Sequence, residues 1–586
     1  MSSALPSLGK PTRQLFESFG EGPISKAMES LDGMTGGRNI SVLVYPAVFL
    51  LALIVFTSFR SAFSKSAVLP AGPPSIPVFG NLLQVPLEKP FLYFASLVKE
   101  HGDILGFRLG PRGNPRNHVV VLSSPKHVKE LFDKKGAHYG DRPQYKICCD
   151  YVLRPTGGGG PFKHVLFMPH GKSLRQYNRA TKMLTSQKGV QRCWPAMERE
   201  AARFVGKIQS LPPHLEGEGK IAVWRKHLRF WALATPMRVI AGQDIDALDD
   251  DDIARYYHAQ HEWLSLLTPG KTPPVDIFPF LTWIPEWFPG GAWKTKAKEV
   301  KVNMENMYYG LQKASALPGG QASLLASIRR RFGKTSVPYP KDHGGFDTME
   351  GPDLKIAPED RYEEDQLAWI GGSLLDAAVD TTLATMGVMI MVFANNPDIQ
   401  KKVQREVDEV CGNRKPRGED LAKMKYLKAC AMEILRWRPP APNGLPHVLS
   451  KPSTYEGYAF LPGTTFLIDV WGIHMDPNFY EDPQGFHPER FLDNPMGIKP
   501  HLVPEAEKTG RKSTYTFGSG RRMCPGEAFA VTSTIMNAAT LAWAVDVKAP
   551  GGKRIDDSIN TGFITGLVLG PEEFAVDFSS RKGRSV

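Results

Sequence analysis

Residues Phe517-Gly-Ser-Gly-Arg-Arg-Met-Cys-Pro-Gly526 set one cysteine, Cys524, at the tip of a glycine-rich turn, and an apolar run from Glu527 to Ala544 follows at once. The run reads as a helix. A thiol at a helix start suits a soft metal, because the thiolate is the ligand form and the positive end of a helix dipole favours it. Pro525 fits the first helical position, where its missing N–H is no loss. Gly518 and Gly520 can take positive φ and leave no side chain between the backbone and a flat ligand. Arg522, two residues before the thiol, is placed to reach an acidic group at that ligand's edge. A dinucleotide reading of the glycines fails: Gly-x-Gly-x-x-Gly would need glycine where Met523 stands.

Outward from the turn, Leu367 to Ala394 is a long apolar stretch that carries Asp376 and Asp380. Two carboxylates make a membrane span costly, so a buried helix is expected, starting near Pro358-Glu-Asp360 and stopped by Asn395-Asn-Pro397. It contains Ala377-Ala-Val-Asp-Thr-Thr382, an acid beside a hydroxyl in apolar surroundings. A second helix is expected over Lys425 to Trp437. There Glu433 and Arg436 share a face, a pair worth only a few tenths of a kcal/mol if exposed. Phe486-His-Pro-Glu-Arg-Phe491 and Asn443-Gly-Leu-Pro-His447 lie between this helix and the turn.

Upstream, about twenty uncharged, mostly apolar residues lie between Arg38 and Arg60, enough for one hydrocarbon thickness as a helix. Flanking basic residues nearly balance, so charge gives little orientation. Pro70-Ala-Gly-Pro-Pro-Ser-Ile-Pro77 makes a stiff connector behind it. The expected organisation is a flexible extension (1–38), a transmembrane anchor (39–59), a proline-rich hinge (60–77) and a catalytic domain (78–586). Lys334 to Pro358, rich in Gly, Pro and charge, reads as an insertion. Gly157 to Gly160 lacks the Lys-Ser/Thr of a phosphate loop and reads as a loop near a substrate entrance.

The 586 residues are 42% hydrophobic, which excludes global disorder. Net charge is +12, but the basic residues are scattered and match no nucleic-acid-binding pattern. A basic face for an acidic protein or an anionic membrane fits better. The six cysteines form no Cys-x-x-Cys pairing, which argues against a zinc site and a disulfide scaffold.

The spacing Phe-x-x-Gly-x-Arg-x-Cys-x-Gly (Phe517, Gly520, Arg522, Cys524, Gly526) resembles the haem-binding loop of cytochrome P450, and the order of the other motifs is similar to that family over about residues 70 to 580. The resemblance implies a mainly α fold with a small β region, the P450 fold behind an N-terminal transmembrane helix. It implies haem b with Cys524 as iron ligand, and Phe517, Gly518, Gly526 and Arg522 in the binding loop. His447 would donate to a haem propionate. The stretch Gly171 to Arg179 is similar to the family's Trp-x-x-x-Arg, but Leu174 and Asn178 stand at those positions, so Arg175 or Arg179 would substitute. Asp380 and Thr381 would relay protons to iron-bound dioxygen, with Ala378 where the family usually has glycine. Glu433, Arg436 and Arg490 would form a buried lock.

The implied activity is a monooxygenase inserting one oxygen atom into a hydrophobic small molecule, with wording similar to fungal P450s of secondary metabolism. Electrons would come from NADPH through NADPH–cytochrome P450 reductase, with cytochrome b5 as a further donor, at the endoplasmic reticulum membrane and without nucleic acid. The rival readings are a haem-thiolate isomerase or dehydratase that needs no reductase, and a membrane-anchored haem sensor. Leu367 to Thr382, Asn443 to Leu445 and Thr561 to Thr565 are expected to line the pocket.

Overall fold

The computed structural model describes residues 69–586, apart from 155–163, 213–216, 248–249, 269 and most of 336–360. The expected extension, anchor and glycine loop (157–160) lie outside the described residues, as does most of the Lys334–Pro358 insertion. Of that insertion, Phe346 is buried and its N–H donates to Ser327 Oγ at 2.9 Å.

Helices dominate. Those of nine residues or more are α1 (Pro90–His101), α2 (Lys172–Thr185), α3 (Gln187–Gln209), α4 (Gly217–Ala241), α5 (Asp250–Leu267), α6 (Trp293–Ala314), α7 (Leu324–Phe332), α8 (Glu364–Asn395), α9 (Pro397–Cys411), α10 (Lys425–Trp437) and α11 (Glu527–Ala544). Strands are short. A four-stranded sheet runs β1 (Ile104–Arg108), β2 (His118–Leu122), β6 (Thr465–Ile468), β3 (His447–Val448), antiparallel except for β2 against β6. Two-stranded pairs join β4 (Ser453–Tyr455) to β5 (Tyr458–Phe460), β8 (Phe563–Thr565) to β9 (Leu569–Pro571), and β7 (Val545–Lys548) to β10 (Asp577–Ser580).

Helix α8 is apolar nearly all round, the signature of a core helix. By composition it could cross a membrane, yet 72% of its most apolar window is buried in protein. It begins at Glu364, later than the Pro358-Glu-Asp360 expected from sequence. Residues before it are already committed elsewhere: Tyr362 N–H donates to Phe332 O at 2.8 Å and Tyr362 O accepts from Lys334 N–H at 3.0 Å, an extended pairing with the end of α7. Glu363 then forms a capping box with Gln366, and Glu364 and Asp365 complement the dipole in the first turn. Asn396 and Pro397 end the helix, the proline opening α9.

The described part of the proline hinge is not a free connector. Gly106 N–H in β1 donates to Ala71 O at 2.9 Å, and a Cβ on Gly72 would lie 2.1 Å from Gly106 O. Asn81 and Gln84 side chains donate to Pro73 O and Pro74 O. Residues 71–74 of the hinge are therefore packed onto the domain that sequence placed from residue 78.

Candidate functional site

The cysteine turn is closed by Cys524 N–H donating to Phe517 O at 2.8 Å. Asp133 holds its outer side, accepting from Ser519 Oγ at 2.7 Å and from Gly520 N–H at 2.8 Å. Gly518 and Gly520 have φ of +75° and +65°, as positive φ at both positions requires. Their surroundings differ. A Cβ on Gly520 would lie 2.0 Å from Phe132 O, so this glycine lets the turn pack on the chain behind it. At Gly518 the nearest atom would be 3.9 Å away, leaving an open side.

Helix α11 starts at Glu527 with Gly526 as its cap, so Pro525 lies just before the helix and not at its first position. The Gly526 N–H still reaches Cys524 and favours the thiolate, but burial outweighs it and lifts the thiol above its ordinary pKa, with Glu527 adding to the rise. Cys524 is nonetheless solvent-accessible, while the other five cysteines are buried. A group that is reachable and yet mainly governed by burial sits on the floor of a cleft.

Cations gather near this floor. Arg522 spends its guanidinium on carbonyls: Nε donates to Gly140 O at 2.7 Å, and Nη2 to Met168 O. Arg142, which sequence reading missed, is buried and donates from Nη1 to Pro446 O at 2.6 Å and Leu445 O at 3.1 Å, while its Nε has no partner. Burial, then Arg522, pull its pKa down to about 9. Burial, with Asp141 opposing, takes Arg522 to about 10. His447 is buried against Phe132, and its Nδ1 lies 2.8 Å from Tyr139 O. That carbonyl accepts from Nδ1–H, so the neutral ring offers Nε2 only as an acceptor. Burial first, then Arg142 and Arg522, hold its pKa well below the ordinary value. Arg175 is exposed on α2, with Arg179 and Asn178, and adds to the positive field at His170.

Along α8, Leu374, Ala377, Ala378 and Thr381 are partly accessible, and Ala377 is exposed in the midst of a core helix. Their i, i+3, i+4, i+7 spacing makes one stripe, the wall of an internal space. Thr381 lies on it, its Oγ1 donating to Ala377 O at 2.9 Å. Asp380 leaves from the neighbouring flank, where Oδ2 accepts from Gln260 Nε2 of α5 at 3.4 Å. Burial, with help from Asp376 and against Gln260, raises its pKa to about 6. The acid and the hydroxyl expected to act together thus have separate partners in this structure.

Beneath the turn, Glu433 and Arg436 are fully buried, not the exposed pair that would carry little weight. Arg436 donates from Nε and Nη2 to the two Glu433 oxygens at 2.7 Å each. Arg490 Nε adds a bond to Glu433 Oε1 at 3.1 Å, and His487 N–H another at 2.9 Å. Arg436 also donates to the carbonyls of His474, Pro483 and Gly485, so one side chain joins α10 to the segments leading toward the turn.

A reachable thiolate ligand beside buried cations that lack carboxylates calls for a soft-metal group with an acidic edge, in a mainly helical enzyme: a haem-thiolate protein. The comparisons agree. The family model described as cytochrome P450 matches residues 70–578. The chain is similar to cytochrome P450 monooxygenase grgG of a Penicillium species, with 31% identity across 94% of this chain and 95% of that one. Cytochrome P450 monooxygenase atE of Aspergillus terreus is 29% identical, with 91% of each chain covered. A zebrafish cytochrome P450 solved with abiraterone shares the fold, with TM-score 0.62 and 20% identity over 84% of this chain and 100% of that one. The chain belongs to the cytochrome P450 family of haem-thiolate monooxygenases.

Haem is the group this family implies, and the residues fit it. The accessible Cys524 offers a soft ligand. The unpartnered Arg142 Nε, with Arg522, suits an anionic edge that would relieve the repulsion between the two arginines, and such an edge would favour protonation of His447 Nε2, which is otherwise an acceptor.

Proposed function

We propose that this enzyme inserts one oxygen atom from dioxygen into a hydrophobic small molecule in fungal secondary metabolism, with electrons from NADPH passed through a flavoprotein reductase. The observation that carries this is the accessible stripe of Leu374, Ala377, Ala378 and Thr381 on the largely buried α8, with half-buried Asp380 on its flank. An apolar wall with one hydroxyl suits an apolar substrate, and the acid behind it can supply protons.

Haem bound through Cys524 supplies the iron that activates oxygen. Arg142 and Arg522 would hold its carboxylates, with Arg175 as a further cation, and His447 would donate to one once its Nε2 takes up a proton. Phe517, Gly518 and Gly526 shape the turn that presents the thiol, and the Glu433–Arg436–Arg490 lock fixes the segments behind it. Asp380, with a pKa of about 6, is a proton carrier near neutral pH. To serve Thr381 its carboxylate must leave Gln260 and turn toward the stripe.

The basic side chains around the turn, Lys129, Lys134, Lys512 and Arg521, support docking of an acidic redox partner, with cytochrome b5 as a second donor. Membrane attachment at the endoplasmic reticulum through residues 39–59 is supported by exposed apolar residues elsewhere. Trp283 is 75% and Trp287 83% exposed, and Leu83 and Leu87 are exposed as well. Such bare aromatic surface suits a membrane interface.

Expression with a reductase in a microsomal host, followed by metabolite profiling, tests the reading. Product formation must require NADPH and oxygen. Product that forms without either would instead support an isomerase or dehydratase, and haem loading with no turnover a sensor.

A further inference from the structure

A buried polar cluster lies where α5, α6, α8 and the residues before α2 meet. Asp376 Oδ2 accepts from Tyr308 Oη and from His164 Nε2, the latter at 3.3 Å. The histidine tautomer is set by its other nitrogen: Leu166 N–H donates to Nδ1 at 3.2 Å, so Nε2 carries the proton. Gln260 Nε2 donates to Asp376 O at 3.3 Å and to Asp380 Oδ2. One carboxylate oxygen of Asp376 thus has two donors and the other has none.

Further polar atoms around it are also unpartnered. Asp376 Oδ1, Gln260 Oε1, Tyr256 Oη and Ser373 Oγ are buried without a hydrogen-bond partner. Gln260 is 2% exposed and the Asp376 side chain 6%. Ser373, Asp376 and Asp380 share one flank of α8 by their i, i+3, i+7 spacing, beside the accessible Ala377. Leaving the Asp376 and Gln260 oxygens unfilled costs the desolvation of each. The environs also couple to the site, since the charges of both Cys524 and Asp376 act on the buried Tyr177 hydroxyl. An apolar wall therefore ends in a patch with two unfilled acceptor oxygens, on Asp376 and Gln260, and two hydroxyls that can donate or accept.

We propose that Asp376, oriented by His164 and Tyr308, is a specificity anchor whose free Oδ1 accepts a hydrogen bond from a hydroxyl group of the substrate. This rests on the monooxygenase reading and narrows its substrate class to hydroxylated apolar molecules. Gln260 and Tyr256 complete the receiving patch. The bond is charge-assisted, and a site built around a substrate hydroxyl discriminates strongly against analogues without it.

The test uses the haem-loaded enzyme and three probes of one shape: naphthalene, 2-naphthol and 2-methoxynaphthalene, with affinity measured by calorimetry. The wild type is expected to bind 2-naphthol about tenfold or more tighter than either of the others, because only it offers a donor. Asp376→Asn sharpens the result. Its carbonyl must face the His164 and Tyr308 donors, which puts NH2 where Oδ1 was. The preference for 2-naphthol over the ether should then vanish or invert. Equal binding of all three by the wild type would mean that the naphthol hydroxyl does not reach Oδ1, and would overturn the proposal. So would an unchanged ranking in Asp376→Asn. If that variant folds poorly, the wild-type ranking decides alone. A thiolate-type reduced CO spectrum, recorded on the same samples, reports the haem-thiolate assignment separately.

Discussion

Replacing Glu433 with alanine should damage this protein more than any surface ion pair could. The carboxylate accepts two bonds of 2.7 Å from Arg436, one from Arg490 and one from the His487 N–H, at a position with no solvent exposure. Removing it leaves the Arg436 charge buried against backbone carbonyls alone, a loss of about 3–5 kcal/mol. For a fold of roughly 500 residues, with unfolding entropy near 1 kcal/mol/K, that is a Tm decrease of roughly 3–5 °C. Because Arg436 also ties down His474, Pro483 and Gly485, damage should spread toward the cysteine turn. Thermal melts and reduced CO spectra read the two effects together. Glu433→Leu combined with Arg436→Met, which removes both charges, should recover much of the stability. A Glu433→Ala protein that melts within about 1 °C of wild type with an intact thiolate spectrum would refute the reasoning.

Gly520→Ala should abolish haem-loaded protein, since its Cβ would meet Phe132 O at 2.0 Å, whereas Gly518→Ala, whose nearest neighbour is at 3.9 Å, should cost only about 1 kcal/mol from its positive φ. Spectral yield after purification separates them. Arg142→Met should raise the melting temperature of the haem-free chain by removing an unpaired buried charge, yet weaken haem retention when apomyoglobin competes for the haem. For Asp380 the folded pKa is raised to about 6, so burial penalises its charged form. That penalty is absent below the ordinary carboxylate range, grows as pH rises toward 6, and is constant above it. Asp380→Asn should therefore melt higher than wild type at pH 7–8 and no higher near pH 4. If the protonated acid carries protons, wild-type turnover should fall above pH about 6 and the variant should lose that limb.

Legibility followed locality. Helices Lys425–Trp437 and Glu527–Ala544 have the bounds expected from sequence, because their ends are set by residues within a few positions. The start of α8 was misplaced, because its preceding residues pair with Gly333, a contact between distant positions. The same holds for the site. Cys524 announces itself through neighbouring glycines, whereas Arg142 finds its carbonyl partners some 300 residues away. Its only local signal is Asp141-Arg-Pro143, where proline keeps the arginine extended. The acid–hydroxyl motif reads as one unit in sequence. On a helix, however, adjacent residues point about 100° apart, which is why Asp380 meets Gln260 while Thr381 turns to the stripe.

The central claim is that Cys524 is the iron ligand. Its most direct test is the reduced CO difference spectrum of the wild type beside Cys524→Ser. The wild type should show the red-shifted Soret band of thiolate ligation, and the variant should lose it while still binding some haem. A Cys524→Ser protein that keeps the thiolate band would contradict the account.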